Sequence, residues 1–305
     1  MPVAKSYPLF EVIKSGPLTT VQDQGRSNNL DEGVPISGAM DLRSLIQGNE
    51  ILGNSRSAAG LEITFHQFEV VFINLMPTSM VIVGNSVIAR LNSAELKNNR
   101  SFTVENGDRL KLRSASPMVS ARTYLCCAGG IAIPEILGSG STYVSGGFGG
   151  YQGRALRVGD RIEACSLQSR PIRNIKNNKL DEMNFIRFIP HHSPNGVSES
   201  WIQKYLETSW RVDPQSNRMG LRLMPSNLDQ QKKIFDEIKT PDRVLSQGVF
   251  FGVIQLTHGG NPIILGADSQ TIGGYPLIGC VISEDLWKCG QVLPGSEIRL
   301  TLKEE

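Results

Sequence analysis

Charge of one sign is what this chain most lacks. Its 31 Lys and Arg face 29 Asp and Glu, a formal charge of +2. Neutralising a phosphate backbone needs a basic excess or stripe, so nucleic-acid binding is excluded as a main task. Long apolar runs are also missing. Stretches such as Val70–Ile73 and Met80–Val83 are far too short to span a bilayer, which argues against a membrane protein. The N-terminal Met-Pro-Val-Ala-Lys-Ser-Tyr-Pro has no apolar signal region. Cysteine is sparse and odd in number: Cys126, Cys127, Cys165, Cys280 and Cys289 do not suit a disulfide scaffold. A cytoplasmic location is therefore expected. Metal chemistry has little to build on. Cys126 and Cys127 are adjacent and on a strand would face opposite sides, and His191-His192 has no partner at zinc spacing. No Walker A loop, nucleophile elbow or solenoid repeat is present.

What is abundant is glycine, 31 of 305 residues, with 16 prolines and 40% hydrophobic residues. This composition supports a packed core made of short strands and many turns. Strands are predicted at 68–74, 80–84, 86–91, 108–113 and 119–128 from β-branched or alternating patterns. Asp41 is placed to cap a helix through Leu42, Leu45, Ile46 and Leu52, which Asn49 and Gly53 would help to end. The polar stretch from Ser166 to Glu182 reads as a linker. Beyond it, strands are predicted at 183–189, 248–256, 262–267 and 297–302. Helices are expected at 198–207, capped by Ser198, and at 283–287, capped by Ser283. Residues 229–240 fit a helix or a polar loop. Expected domains are residues 1–168, a linker at 169–182, and residues 183–305.

Four constellations carry candidate chemistry. Gly266-Ala-Asp-Ser-Gln-Thr-Ile-Gly-Gly-Tyr-Pro276 follows an apolar strand. Asp268 could serve as a base or metal ligand, and Gln270 and Thr271 could bind an amide or carboxylate; an ordinary Gly-Gly turn, with Asp268 capping it, explains the same residues. Asp23 and Arg26 could pair on one loop, with Asp41 nearby as the helix cap. Glu62, between Leu61 and Ile63, is either solvent-exposed or a buried acid, and exposure is the more common outcome. Gly138–Gly153 holds seven glycines in sixteen residues; it could cradle a phosphate, or simply pack around Phe148 and Tyr151. Arg218, near Gly220, could bind a carboxylate or phosphate in bidentate fashion, although an Arg at a strand-opening turn is more often only a surface residue.

Eight motifs in order give these residues a common context. They are Leu18-Thr-Thr-Val-Gln-Asp-Gln-Gly-Arg26, Gly33-Val-Pro-Ile-Ser-Gly-Ala-Met-Asp41, Leu61-Glu-Ile-Thr64, Ala128-Gly-Gly-Ile-Ala-Ile-Pro134, Leu137-Gly-Ser-Gly-Ser-Thr-Tyr143, Gly146-Gly-Phe-Gly-Gly150, Asn217-Arg-Met-Gly220 and Asp268-Ser-Gln-Thr-Ile-Gly-Gly-Tyr-Pro276. Over nearly the whole chain it resembles the allophanate hydrolase subunit 2, or biotin-dependent carboxyltransferase, family. That family includes the C subunit of prokaryotic 5-oxoprolinase, the Kip antagonist KipA, and part of urea carboxylase. The resemblance implies a mainly β chain with a few short helices, built as two cyclophilin-like β-barrel domains. It implies two partner chains, a B-type or KipI-like protein and an A-type protein. It also implies ATP with Mg, used by the complex to open 5-oxoproline to glutamate. Biotin, if used, would come from another chain, because no biotinylation motif is present. On that reading Asp268, Gln270 and Glu62 are catalytic candidates. Arg218, Thr271, Gly273, Gly274, Tyr275, Asp23, Arg26 and Asp41 are substrate-binding candidates. The family pattern is altered at Ser269, Ile272 and Asn217, where Arg, Thr and Asp are usual, and at Ile189-Pro-His-His-Ser193. Those departures favour, as one alternative, a KipA-like role binding a KipI-like protein; the resemblance itself leaves a urea carboxylase-type transferase as a second.

Overall fold

The computed structural model describes residues 5–171, 183–191, 197–227 and 244–303. The chain divides into two compact units, residues 1–26 with 37–179, and residues 27–36 with 180–305. The described residues are mostly strand, with three short α-helices. No described helix is long and apolar enough to cross a membrane.

The first unit is built on two antiparallel sheets. One has six strands in the order β11-β1-β4-β9-β6-β7: β1 (Tyr7–Lys14), β4 (Phe68–Phe72), β6 (Val87–Leu91), β7 (Ala94–Glu95), β9 (Arg109–Ser114) and β11 (Arg161–Ala164). The other has five in the order β2-β3-β10-β5-β8: β2 (Leu18–Gln22), β3 (Gly60–Thr64), β5 (Thr78–Val83), β8 (Ser101–Val104) and β10 (Arg122–Cys127). Side chains alternate across a strand, so each sheet sends every second residue inward. Phe10, Val70, Phe72, Leu110 and Leu112 meet Leu61, Ile63, Ile82, Leu125 and Cys127 in one core. Burial then separates the sheets. β4 alternates between buried and half-buried positions, whereas every residue of β3, β5 and β10 is buried.

The reason is α1 (Leu42–Leu52), which lies on the outer face of the five-stranded sheet. Leu45, Ile51 and Leu52 pack there on Val81, Val83, Tyr124 and Cys126. Cys126 and Cys127 therefore do face opposite sides of β10, each buried in a different core. α1 starts as expected, with the Asp41 carboxylate accepting from Ser44 N, and it ends at Gly53 in the left-handed conformation.

The second unit closes into a barrel of seven strands in the order β12-β19-β16-β17-β14-β13-β20. These are β12 (Phe185–Pro190), β13 (Trp210–Val212), β14 (Gly220–Pro225), β16 (Val253–Leu256), β17 (Pro262–Leu265), β19 (Leu277–Val281) and β20 (Glu297–Leu302). β12 and β20 seal it as a parallel pair. Ile186, Phe188, Leu223, Ile254, Ile278 and Leu300 fill the interior. A ribbon of β15 (Gln247–Gly248) and β18 (Ile272–Gly273) stands apart from the barrel ladder. α2 (Glu199–Glu207) and α3 (Leu286–Gln291) complete the described helices.

Three element readings need correction. The strand predicted over 248–256 is two, β15 and β16, because the chain turns at 249–252 with Gly252 at φ +97°. Ser283 does not cap an α-helix; it opens a 3₁₀ turn, and α3 follows Asp285. Ser198 precedes α2 without a side-chain capping bond. The predicted segment at 229–240, the linker beyond Pro171 and His192 lie outside the described residues.

Candidate functional site

In the first unit the carboxylate candidates are buried and occupied. β3 directs Leu61 and Ile63 into the core between the sheets, so Glu62 points to the opposite face, toward α1. There it is 1% exposed, which overturns the expectation of a solvent-facing side chain. Its Oε2 accepts from Met40 N at 2.8 Å and from the Tyr124 hydroxyl at 2.7 Å, and its Oε1 takes Arg122 Nε at 3.2 Å. Tyr124 sits directly across the ladder from Glu62 and also accepts from Asp41 N at 2.8 Å. Burial pushes the Tyr124 hydroxyl well above its ordinary value, and the Glu62 and Asp41 charges add to that shift. The hydroxyl therefore stays protonated and donates to Glu62. Asp41 accepts from Ser44 N at 3.0 Å and Ser44 Oγ at 2.6 Å, as a helix cap.

Asp23 and Arg26 both serve the 136–141 segment. The Asp23 carboxylate accepts from Gly25 N at 2.7 Å, Ser139 Oγ at 2.6 Å and Gly140 N at 2.6 Å, and also from Ser141 Oγ. Arg26 is 1% exposed, donates to Ser141 O at 2.6 Å, and lies 5.1 Å from the Phe148 ring centroid. These groups act as braces for a loop.

The glycine-rich stretch is explained by close backbone approach. A Cβ on Gly149 would come within 2.1 Å of Ser141 O, and one on Gly153 within 2.0 Å of Gly147 O. The N–H groups of Gly147, Gly150 and Gly153 donate to Val144, Gly140 and Gly149 carbonyls. A loop that spends these donors internally does not fit a phosphate cradle. The stretch itself lines part of a cavity of about 610 Å³, where Phe148 and Tyr151 join Ile133 and Ile136, and none of Asp23, Arg26, Asp41 and Glu62 lines it.

In the second unit the candidates converge on one loop. Arg218 and Asp268 are 4% and 3% exposed and form a bidentate pair, Nε to Oδ2 at 2.8 Å and Nη2 to Oδ1 at 2.9 Å. Backbone bonds from Gly266 N to Met219 O and Asp268 N to Arg218 O tie the same segments. Asp268 is thereby held as half of an ion pair that sets the following loop. Asn217 Oδ1 accepts from Met219 N at 2.8 Å, the turn that an Asp in this position would also form. After this clamp, Ser269 and Thr271 are buried while Gln270, Gly274 and Tyr275 reach the surface. Tyr275 meets His258 edge to face at 5.3 Å. Gln270 Nε2 donates to Gln255 Oε1 at 3.3 Å, and Gly273 lies against the same Gln255 amide. Among the sequence candidates Gln270 and Tyr275 both bring a donor and an acceptor to the surface, and Gln270 is the one whose group is a primary amide, with N–H and C=O side by side.

With the geometry in view, the comparisons with known proteins are specific. Residues 32–302 match the carboxyltransferase domain, subdomain A and B. The chain belongs to this carboxyltransferase family. It is 33% identical over 299 residues to the C subunit of 5-oxoprolinase from Escherichia coli K12, covering 95% of this chain and 90% of that protein. The crystal structure of TTHA0988 in space group P212121 superposes with a TM-score of 0.84 at 28% identity, covering 99% of this chain and 57% of that one. The K. lactis urea amidolyase gives a TM-score of 0.81 at 30% identity, over 98% of this chain but 19% of the amidolyase. The chain thus spans little more than half of one structural relative and about a fifth of the other.

Three residues of these arrangements were absent from the sequence candidates. Arg122 and Tyr124 are cross-strand or diagonal neighbours of Glu62, about sixty positions away, and only the β3–β10 register joins them. Gln255 is a lone amide in the run Val253-Ile-Gln-Leu256, and that polar break is the one sequence signal that marks it.

Proposed function

We propose that the chain is the C subunit of an ATP-dependent 5-oxoprolinase, part of a hydrolase complex with A-type and B-type partner chains. The observation that carries this reading is the end-to-end match to the E. coli C subunit, 90% of which is covered at 33% identity. The reaction converts 5-oxo-L-proline, ATP and water to L-glutamate, ADP and phosphate. A lactam carbonyl is a poor electrophile, and phosphorylating its oxygen makes it open to water. In this scheme the loop from Ser269 to Tyr275 recognises the lactam, with Gln270 as its amide-reading side chain. Arg218 and Asp268 hold that loop in place. The phosphates are assigned to the complex as a whole, and no step is routed through the glycine-rich stretch of the first unit.

The test is co-expression with A-type and B-type partners, followed by an assay for ATP-dependent glutamate release from 5-oxoproline. Release only when all three chains are present is the expected result. Three well-folded partners that release none would refute it. A second reading, carboxyl transfer of the urea carboxylase type, is favoured by the family match and by the fold shared with the K. lactis urea amidolyase. It predicts instead ATP- and bicarbonate-dependent urea carboxylation once a biotin carboxylase and a biotin-bearing carrier are supplied.

A further inference from the structure

β16 carries one polar side chain among apolar ones. Val253, Ile254 and Leu256 belong to apolar clusters, and Gln255 between them is 2% exposed. Ile254 and Leu256 point into the barrel, so Gln255 shares the outer face with Val253. An aliphatic or β-branched residue suits that face best. Burying a primary amide there is unfavourable unless its polar atoms find partners. Only half of them do. Oε1 accepts from Gln270 Nε2 at 3.3 Å, and Nε2 has no partner among the described residues.

Two backbone features are built around this amide. The register of β16 against β19 slips between Ile254 and Gln255, and a bulge of this kind re-aims a side chain. Gly273 of the β15–β18 ribbon lies over the amide, where a Cβ would come within 2.2 Å of Gln255 Nε2. The ribbon reaches its position because that residue is glycine.

We propose that Gln255 is a positioning residue for the substrate loop, fixing the amide of Gln270 so that it meets a cyclic amide or ureido group. The proposal rests on the reading of Gln270 as the group that touches substrate. Cyclic amides hold N–H and C=O on the same side, and a primary amide can match both at once, whereas a trans peptide cannot offer them together. A free Gln side chain loses this advantage to rotation about its bonds. Donating one N–H to Gln255 removes that freedom and leaves Gln270 with its carbonyl and its second N–H for a ligand.

The test uses the assembled complex with 5-oxoproline and compares Gln255→Met, Gln255→Glu, Gln270→Ala and the Gln255→Met/Gln270→Ala double variant. Methionine keeps the packing and removes the acceptor, while glutamate keeps an acceptor. Gln255→Met is expected to lower kcat/KM about five- to tenfold, the effect of one lost hydrogen bond, with no loss of thermal stability. Gln255→Glu keeps an acceptor but buries a charge, so it should recover only part of that loss and should lower thermal stability. The double variant should be no worse than Gln270→Ala alone. Unchanged turnover in Gln255→Met, or a further fall in the double variant, would overturn the proposal. A second measurement does not need turnover: in the chain labelled with ¹⁵N-glutamine, Gln255→Met should move the side-chain amide signals of Gln270. If they stay in place, the positioning role is wrong. If they move while the wild-type complex releases no glutamate, the lactam assignment fails and the coupling of the two amides stands.

Discussion

Glu62 accepts from a backbone amide, a tyrosine hydroxyl and an arginine, all on the outer face of the five-stranded sheet. Glu62→Gln keeps the shape but leaves Arg122, itself 7% exposed, without this carboxylate. Breaking a buried ion pair from one side costs about 3 kcal/mol, so the urea midpoint should fall by that equivalent. A pure acid–base role would instead change turnover and leave stability alone. Asp160 tests the same logic through pH. Bidentate bonds from Arg154 at 2.7 and 2.9 Å, with Arg157 N at 2.7 Å, hold its carboxyl below the ordinary 3.8. A depressed carboxylate stabilises the fold fully above its unfolded value, and loses that contribution as pH falls through the folded one. Asp160→Asn should therefore lower stability at pH 7, and its gap to wild type should shrink as pH drops below about 4. At this scale the sequence reveals residue types but not burial. Glu62 between two apolar neighbours looks the same whether its face meets water or a helix, and the helix on that face decides it.

The turn at Asn217–Met219 and the end of β17 are locked by backbone bonds and by the Arg218–Asp268 pair. Gly266 is the point of closest approach, where a Cβ would lie 2.2 Å from Arg218 O. Gly266→Ala meets backbone that cannot rotate away, and about 1–3 kcal/mol of destabilisation is expected. In the assembled complex it should also raise KM for the lactam, because the clamp sets the loop that follows. An unchanged thermal midpoint would show that the turn yields freely. Elements with their own local signals were legible. α1 was readable from its cap, its periodicity and Gly53, and β20 from the Pro294-Gly295 turn that precedes it. The division of 248–256 was not, because apolar residues continue through the turn at 249–252 and periodicity cannot separate two short buried segments. Nor did the spacing announce β1–β3, whose pairing depends on partners far along the chain.

The barrel of the second unit needs no strand from outside residues 185–302, since β12 and β20 close the ring. Its interior is likewise filled from residues 186–300. The unit nevertheless takes in Ser27–Ile36, a segment that no sequence signal assigned to it. Closure and core formation set the cooperativity of a domain, whereas a short added segment contributes only surface burial. A fragment of residues 183–305 is therefore expected to fold and to unfold in one sigmoidal urea transition, at a midpoint below that of the same unit in the whole chain. The observable is already in place: Trp201, Trp210 and Trp287 are the only tryptophans, and all lie in this unit. Tryptophan fluorescence thus reports on the second unit in both proteins, while far-UV circular dichroism of the whole chain reports on both units. Adding a peptide of residues 27–36 to the fragment should move its midpoint toward the whole-chain value. A fragment whose fluorescence changes gradually, with no transition, would mean that residues 27–36 are needed to complete the barrel and do more than cover it.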